Sequence, residues 1–440
     1  MYTHTLDCGL RIISAPSPTD VVYCGIAVDV GTRDELPHES GLAHFTEHLT
    51  FKGTPRRRSW HILNRMETVG GDLNAYTGKE ETVYYSTFLK EHFSRAIDLL
   101  IDISFSSIFP QHEMDKEVEV VIDEIESYND TPSELIFDEF ESMIFKGHPL
   151  GRNILGQAEV LRKMRSEDVQ QFARRHYVPS KMVLFVYGNI PMNRIIREAE
   201  KAIGKVSGFQ DSKFQVSRVQ PQNLTTSEPQ NLRTSQPQDL RTSQPQNLRT
   251  SAPQDLITGE TVTRQKDTHQ AHVMIGTRGL SLQDPRHLSL YVLNNILGGP
   301  GMNSRLNLAL RERNGLVYTV ESSLTTYTDT GLWGVYFGCD PHDVKRCLHL
   351  VRKELLRLTD APLTSSALAA YKRQIIGQLG ISYDAFESVA IGMGKRYLHY
   401  GTIQSRDKLI QQIQELTPEM LHQTAQDIFQ QERLTTLIYQ

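Results

Sequence analysis

Cysteine is scarce in this chain: four in 440 residues, at Cys8, Cys24, Cys339 and Cys347, with no C-x-x-C pair. That spacing offers neither a zinc knuckle nor a disulfide framework, so buried or partly buried free thiols are expected. Long apolar runs are lacking as well, and no segment approaches the length of a transmembrane helix. The first residues, MYTHTLDCGLRIISAPSP, lack the basic start and apolar stretch of a secretory signal and alternate as a strand does. A cytoplasmic location is expected. Neither sign of charge dominates: 47 Lys and Arg stand against 52 Asp and Glu, a formal net charge of −5. Such mild acidity gives no reason to expect nucleic acid or an anionic membrane as partner. With 39% hydrophobic and 22% charged residues the composition is that of a folded globular protein. A length of 440 residues exceeds one ordinary core, so two or more domains are expected.

One segment is poor in everything that builds a core. Residues 221–260 read PQNLTTSE, PQNLRTSQ, PQDLRTSQ, PQNLRTSA, PQDLITGE, one octapeptide written five times with a single dependable apolar residue per copy. Too little apolar surface is available there to offset the entropy of ordering, so a flexible or partly extended connector is expected rather than a solenoid. It divides the chain into residues 1–215, a linker over 216–261, and residues 262–440.

The two flanking parts are internally related. GLAHFTEHLTFKG (41–53) and SLYVLNNILGGPG (289–301) are both candidate helices running into glycine. VIDEIESYNDTPSEL and IIGQLGISYDAFESV share an apolar spacing and a Tyr-plus-Asp turn. Residues 166–188 and 417–439 each read as a capped helix, with Ser166 and Thr417 as N-caps, then a break and an apolar strand. The pattern predicts an α+β fold by duplication: two homologous α/β-sandwich domains, each a sheet packed against helices, with CGIAVDVG and TVYYSTFL among the strands.

The halves differ at LAHFTEHLTFKGT (42–54). His44 and His48 stand four apart on a predicted helix, about 40° apart around its axis, so both imidazoles project from one face. Glu47 lies between them in angle. The aligned positions in the second half are Val292, Asn295 and Ile296, so only the first half could hold a metal there. Two histidines do not close a site, because catalytic zinc takes three protein ligands and leaves a fourth position open. The predicted helix EMDKEVEVVIDEIESYND (113–130) offers the third. Its Glu119, Asp123 and Glu126 face solvent, whereas Glu117 and Glu124, seven apart, lie on the apolar edge beside Val120 and Val121. Carboxylates in that setting need a positive partner, and a metal ion supplies one.

These residues resemble the inverted-zinc-motif metallopeptidases of the pitrilysin, insulysin and mitochondrial processing peptidase family. That family's H-x-x-E-H is followed about 76 residues later by a glutamate on another helix, and Glu124 stands at that distance from His48. HFTEHLTFKGTPRR, GGDLNAYTGKEETVYY (70–85), GHPLGRNILG (147–156) and RERNGLVY (311–318) are similar to further family segments, and the similarity departs only at the octapeptides. The resemblance implies one zinc per chain, bound by His44, His48 and Glu124. It implies Glu47 as general base, Glu117 as a carboxylate near the metal, and Asn74 and Ala75 on a strand edge that holds the substrate backbone. It implies that Arg311 and Tyr318 reach the scissile peptide; since a tetrahedral oxyanion needs a partner besides zinc, Tyr318 is the candidate donor. The implied activity is zinc-dependent endoproteolysis of unfolded peptides or flexible segments inside a clamshell chamber. Since this chain carries both the zinc motif and the Arg-Tyr pair, a homodimer is expected, with a heterodimer with a degenerate relative as the alternative.

Other readings of these residues are open. A metal-free relative acting as a structural or assembly subunit would not need the full set His44, Glu47, His48, Glu117 and Glu124. A zinc hydrolase acting on something other than a peptide would. Gly70 and Gly71 alone read equally as a hairpin turn. ILGGPGMNSRL (296–306) lacks the Lys-Ser/Thr of a phosphate loop and reads as a turn between helices.

Overall fold

The computed structural model describes residues 1–206 and 259–440; the octapeptide array, apart from its last two residues, lies outside them, and with it the expected connector. The first half contains strands β1 (Tyr2–Thr5), β2 (Arg11–Ala15), β3 (Val21–Val28), β4 (Asp72–Thr77), β5 (Thr82–Leu89) and β6 (Met182–Tyr187). Its helices are α1 (Leu42–Thr50), α2 (Ser59–Glu67), α3 (Phe93–Ser106), α4 (Gln111–Asn129), α5 (Pro132–Ile144), α6 (Ala158–Leu161), α7 (Ser166–His176) and α8 (Met192–Ile203). The second half contains β7 (Thr261–Arg264), β8 (Ala271–Gly279), β9 (Val317–Thr326), β10 (Gly331–Cys339) and β11 (Thr435–Tyr439). Its helices are α9 (His287–Gly298), α10 (Val344–Asp360), α11 (Ser365–Ser382), α12 (Phe386–Tyr400), α13 (Arg406–Glu415) and α14 (Pro418–Ile428).

The sheets repeat one topology. The first runs β1-β2-β6-β3-β5-β4 and the second β7-β11-β8-β10-β9, so the second matches the first without β1. In both, one matched pair is parallel (β2 with β6, β7 with β11) and the remaining matched pairs are antiparallel. Two mixed sheets packed against helices bear out the α+β duplication. Thr417 caps α14 as expected, accepting from the Met420 N–H at 3.3 Å. Ser166 instead is the first residue of α7: Arg165 is the cap, its N–H bonded to Asp168, and the Ser166 hydroxyl donates to the Phe109 carbonyl. All four cysteines are free.

Strands such as MVLFVY (182–187) are buried along nearly their whole length because both sheet faces are covered. Alternate residues of the first sheet (Ile12, Ile26, Leu184) pack under α1, α3, α4 and α7, which belong to the same half. The opposite residues (Ile13, Ala27, Val183, Phe185) pack against Ala390, Met393 and Leu398 of α12, a helix of the second half. The exchange is reciprocal: Leu135, Ile136, Phe140 and Ile144 of α5 cover Met274, Leu332, Tyr336 and Leu437 on the second sheet. Each sheet is thus closed by a helix from the other half.

Candidate metal centre

The helix α1 is aimed from its first turn. Gly41, its N-cap, is left-handed at φ 88°, and Gly156 at φ 77° lies against it; a Cβ on Gly156 would stand 2.4 Å from the Gly41 Cα. Only glycine permits that approach. The Glu35 carboxylate accepts from the N–H groups of Gly41 (3.1 Å) and Ala43 (2.9 Å), satisfying donors that the first turn leaves unpaired. Burial pushes the Glu35 carboxyl up to about 8, against the lowering effect of those N–H groups. Arg152, in the GHPLGRNILG segment, donates to the Glu35 carbonyl.

Leu42, Phe45 and Leu49 hold one face of α1 in the core, which turns His44, Glu47 and His48 toward α4 and β4. His44 Nε2 and His48 Nε2 lie 3.9 and 3.6 Å from the same oxygen, Glu124 Oε2. The two rings meet edge to face with centroids 4.6 Å apart. Two donors each about 2.0–2.1 Å from a tetrahedral zinc stand about 3.4 Å apart, so the observed spacings need only a few tenths of an ångström of closure. His48 Nδ1 is 3.0 Å from Glu117 Oε1, and Lys52 Nζ is 2.5 Å from Glu117 Oε2. A proton on Nδ1 shared with that carboxylate leaves the Nε2 lone pair for a metal. Glu124 keeps its side chain 45% exposed, so a position beside it stays open to solvent. Two imidazole nitrogens and one carboxylate oxygen, with an open side, are a donor set that could hold zinc.

Burial, assisted by the neighbouring His48, holds the His44 imidazole down at about 3, in the neutral form a metal requires. Burial lifts the Glu47 carboxyl above the usual carboxylate range; the Thr77 hydroxyl, donating to its Oε2 at 2.8 Å, and His48 pull the other way. Glu117 is buried too, yet His48 and Lys52 hold it low.

The remaining expected residues fall into two places. Asn74 and Ala75 lie on β4, the edge strand of the first sheet, opposite Tyr85 and Tyr84 of β5. Arg311 lies on a π-helical turn (Asn307–Glu312) and Tyr318 on β9, the edge strand of the second sheet. The Arg311 guanidinium stands 5.8 Å from the Tyr318 ring centroid, and Tyr318 is 80% exposed. Among the described residues no hydrogen bond or ion pair joins this pair to the histidines. In the second half, Val292, Asn295 and Ile296 are buried and Asn295 donates to Gln378 at 2.8 Å. Sequence reasoning missed Lys52, Thr77 and Glu35. Lys52 and Thr77 stand inside segments singled out above, but their partners lie 65 and 30 positions away.

Fold and site together define a duplicated α+β protein of the inverted-zinc-motif metallopeptidase type. The model for insulinase (peptidase family M16) matches residues 11–158, and that for the peptidase M16 inactive domain matches residues 163–375. Similar curated proteins include the uncharacterized zinc protease YmxG of Bacillus subtilis, 30% identical over 99% of this chain and 97% of its own length. They also include the uncharacterized zinc protease SCO5738 of Streptomyces coelicolor (32% identical, covering 96% of this chain and 86% of that one). The mitochondrial-processing peptidase subunit beta of Bos taurus is 28% identical over 90% of this chain and 75% of its own. Among solved structures, a protease from Helicobacter pylori shares the fold with a TM-score of 0.84 at 20% identity, covering 100% of this chain and 99% of that one. The chain belongs to peptidase family M16.

Proposed function

We propose that this protein is a zinc-dependent endopeptidase acting on unfolded peptides or flexible segments. The observation that carries the reading is the convergence of His44, His48 and Glu124, with donor atoms all within 4.8 Å of one another, beside a buried Glu47 on the same helix. Zinc, when bound, supplies Lewis acidity, lowering the pKa of a water toward about 7 and polarising a carbonyl. Glu47, its carboxyl raised by burial, takes the proton of the attacking water and returns it to the departing amine. Glu117, anchored by Lys52, keeps the His48 ring in one orientation.

Substrate binding follows from β4. Its outer edge has no strand partner among the described residues, so an extended peptide can add to it through main-chain hydrogen bonds at Asn74 and Ala75. Such bonds accept many sequences but require a segment free of its own fold. Arg311 and Tyr318, paired and exposed on the second half, suit a role across an interface: in a homodimer they would serve the partner's site, Tyr318 donating to the tetrahedral oxyanion.

Glu47→Gln tests the reading. It should keep about one zinc per chain and lose at least about 100-fold in turnover of an unstructured peptide mixture, while a chelator abolishes wild-type cleavage. Wild-type turnover in the variant would remove Glu47 as the base. Wild-type protein with neither zinc nor cleavage would leave an assembly subunit as the better reading.

A further inference from the structure

The turn between β4 and β5 carries three consecutive charged side chains, Lys79, Glu80 and Glu81, and they are only 6, 4 and 7% exposed. A hairpin tip ordinarily sits in solvent. This one is seated in the seam between the halves. Lys79 donates to the Arg152 carbonyl and lies 3.3 Å from Glu141. Glu80 accepts from Arg33 Nη1 at 2.7 Å, from Thr328 Oγ1 at 2.6 Å and from the Thr328 N–H at 2.8 Å. Glu81 pairs with Lys395 at 2.5 Å and His399 at 3.1 Å. Thr328 belongs to the matching turn between β9 and β10, while Lys395 and His399 belong to α12. The second half therefore grips the turn from two sides.

Thr77 is the last residue of β4, paired in register with Thr82, and the turn is closed by the Gly78 N–H bonded to the Glu81 carbonyl at 2.8 Å. Lys79 to Glu81 and Thr77 are accordingly tied into one hydrogen-bonded turn. The Thr77 hydroxyl is buried and donates to Glu47 Oε2, so it commits one carboxylate oxygen and sets the direction of the other. Burying three charges in a seam carries a desolvation cost that only complete pairing offsets, and apolar side chains would join the halves as firmly. What the charged pegs add is a fixed register.

We propose that the half without metal ligands positions the general base through this turn: Glu80, pegged to Thr328, fixes the end of β4, and Thr77 transmits that position to the Glu47 carboxylate. Thr77 is then a positioning residue, and the claim rests on Glu47 as the base of the peptidase proposed above.

Thr77→Val keeps the side-chain shape and removes the hydroxyl. Its kcat should fall about 10- to 100-fold while KM and zinc content hold, and Thr77→Ser should recover most of the loss. Glu80→Gln should lower kcat in the same direction by a smaller factor. The double variant should be no slower than Thr77→Val alone, because both changes act through one contact. A crystal structure of metal-free Thr77→Val should show the Glu47 carboxylate turned from its wild-type orientation. Unchanged kcat in Thr77→Val, an unmoved carboxylate, or losses that multiply in the double variant would overturn the proposal. Should the wild type cleave no peptide, the peptidase reading fails by itself, and the carboxylate orientation still decides whether Thr77 positions it.

Discussion

Glu117 and Glu124 stand seven residues apart on α4 and address different nitrogens of His48. Glu124 meets Nε2 from a half-exposed position; Glu117, buried, meets Nδ1 and is itself held by Lys52. Removing the Glu117 charge in Glu117→Gln leaves all three candidate donors in place and should loosen the His48 ring. Zinc affinity should fall about 10- to 100-fold, and Glu124→Gln, which removes a donor, should cost more. Competition against a chelator of known affinity measures both; wild-type affinity in Glu117→Gln would remove that residue from the site. Helical spacing made both carboxylates legible as partners of a cation, because two acids on an apolar edge are unstable alone. Which of them turns to which nitrogen depends on the packing of α4 against α1, and no local pattern in either segment encodes that. Thr77 was illegible for the same reason: its partner is set by where the β4–β5 hairpin lands on α1.

At the scale of single elements, α12 shows how a helix can be readable in kind and not in role. A duplicated Tyr-plus-Asp turn places it after α11 as α5 follows α4, yet nothing local says that its apolar face covers the opposite sheet. His399, near its C-terminus, is 3.1 Å from Glu81 and 3.5 Å from Asp29. Burial lowers its pKa, and the two carboxylates more than reverse this, so the group is pushed up to about 9 from an ordinary 6.5. A folded-state pKa above the unfolded one contributes stability fully below about pH 6.5 and loses it as pH rises through about 9. The difference corresponds to roughly 3 kcal/mol at most. The unfolding midpoint should therefore decline between pH 6.5 and 9, and His399→Gln should flatten that decline. An identical slope in wild type and variant would show that the seam does not depend on this charge.

For the whole molecule, α5 and α12 each cover the sheet of the other half. Residues 1–206 alone would expose the sheet face formed by Ile13, Ala27, Val83, Val183 and Phe185, which α12 covers in the full chain. An uncovered apolar sheet face of this kind promotes association rather than folding. The fragment 1–206 should aggregate or unfold without a cooperative transition, and co-expression with residues 259–440 should restore soluble, cooperatively unfolding protein. Cooperative unfolding of 1–206 by itself would show that the exchange is dispensable.

Periodicity and spacing within the sequence were enough to read a duplicated α+β chain, a helix face carrying His44, Glu47 and His48, and a second helix with carboxylates on its apolar edge, since each is written in residues that are neighbours along one element. The pairing of His48 with Glu117 and Lys52, the hold of Thr77 on Glu47, and the seating of a charged turn between the halves were decided by tertiary structure alone. Those contacts join residues far apart in the chain, and only the assembled sheets and exchanged helices bring them within hydrogen-bonding distance.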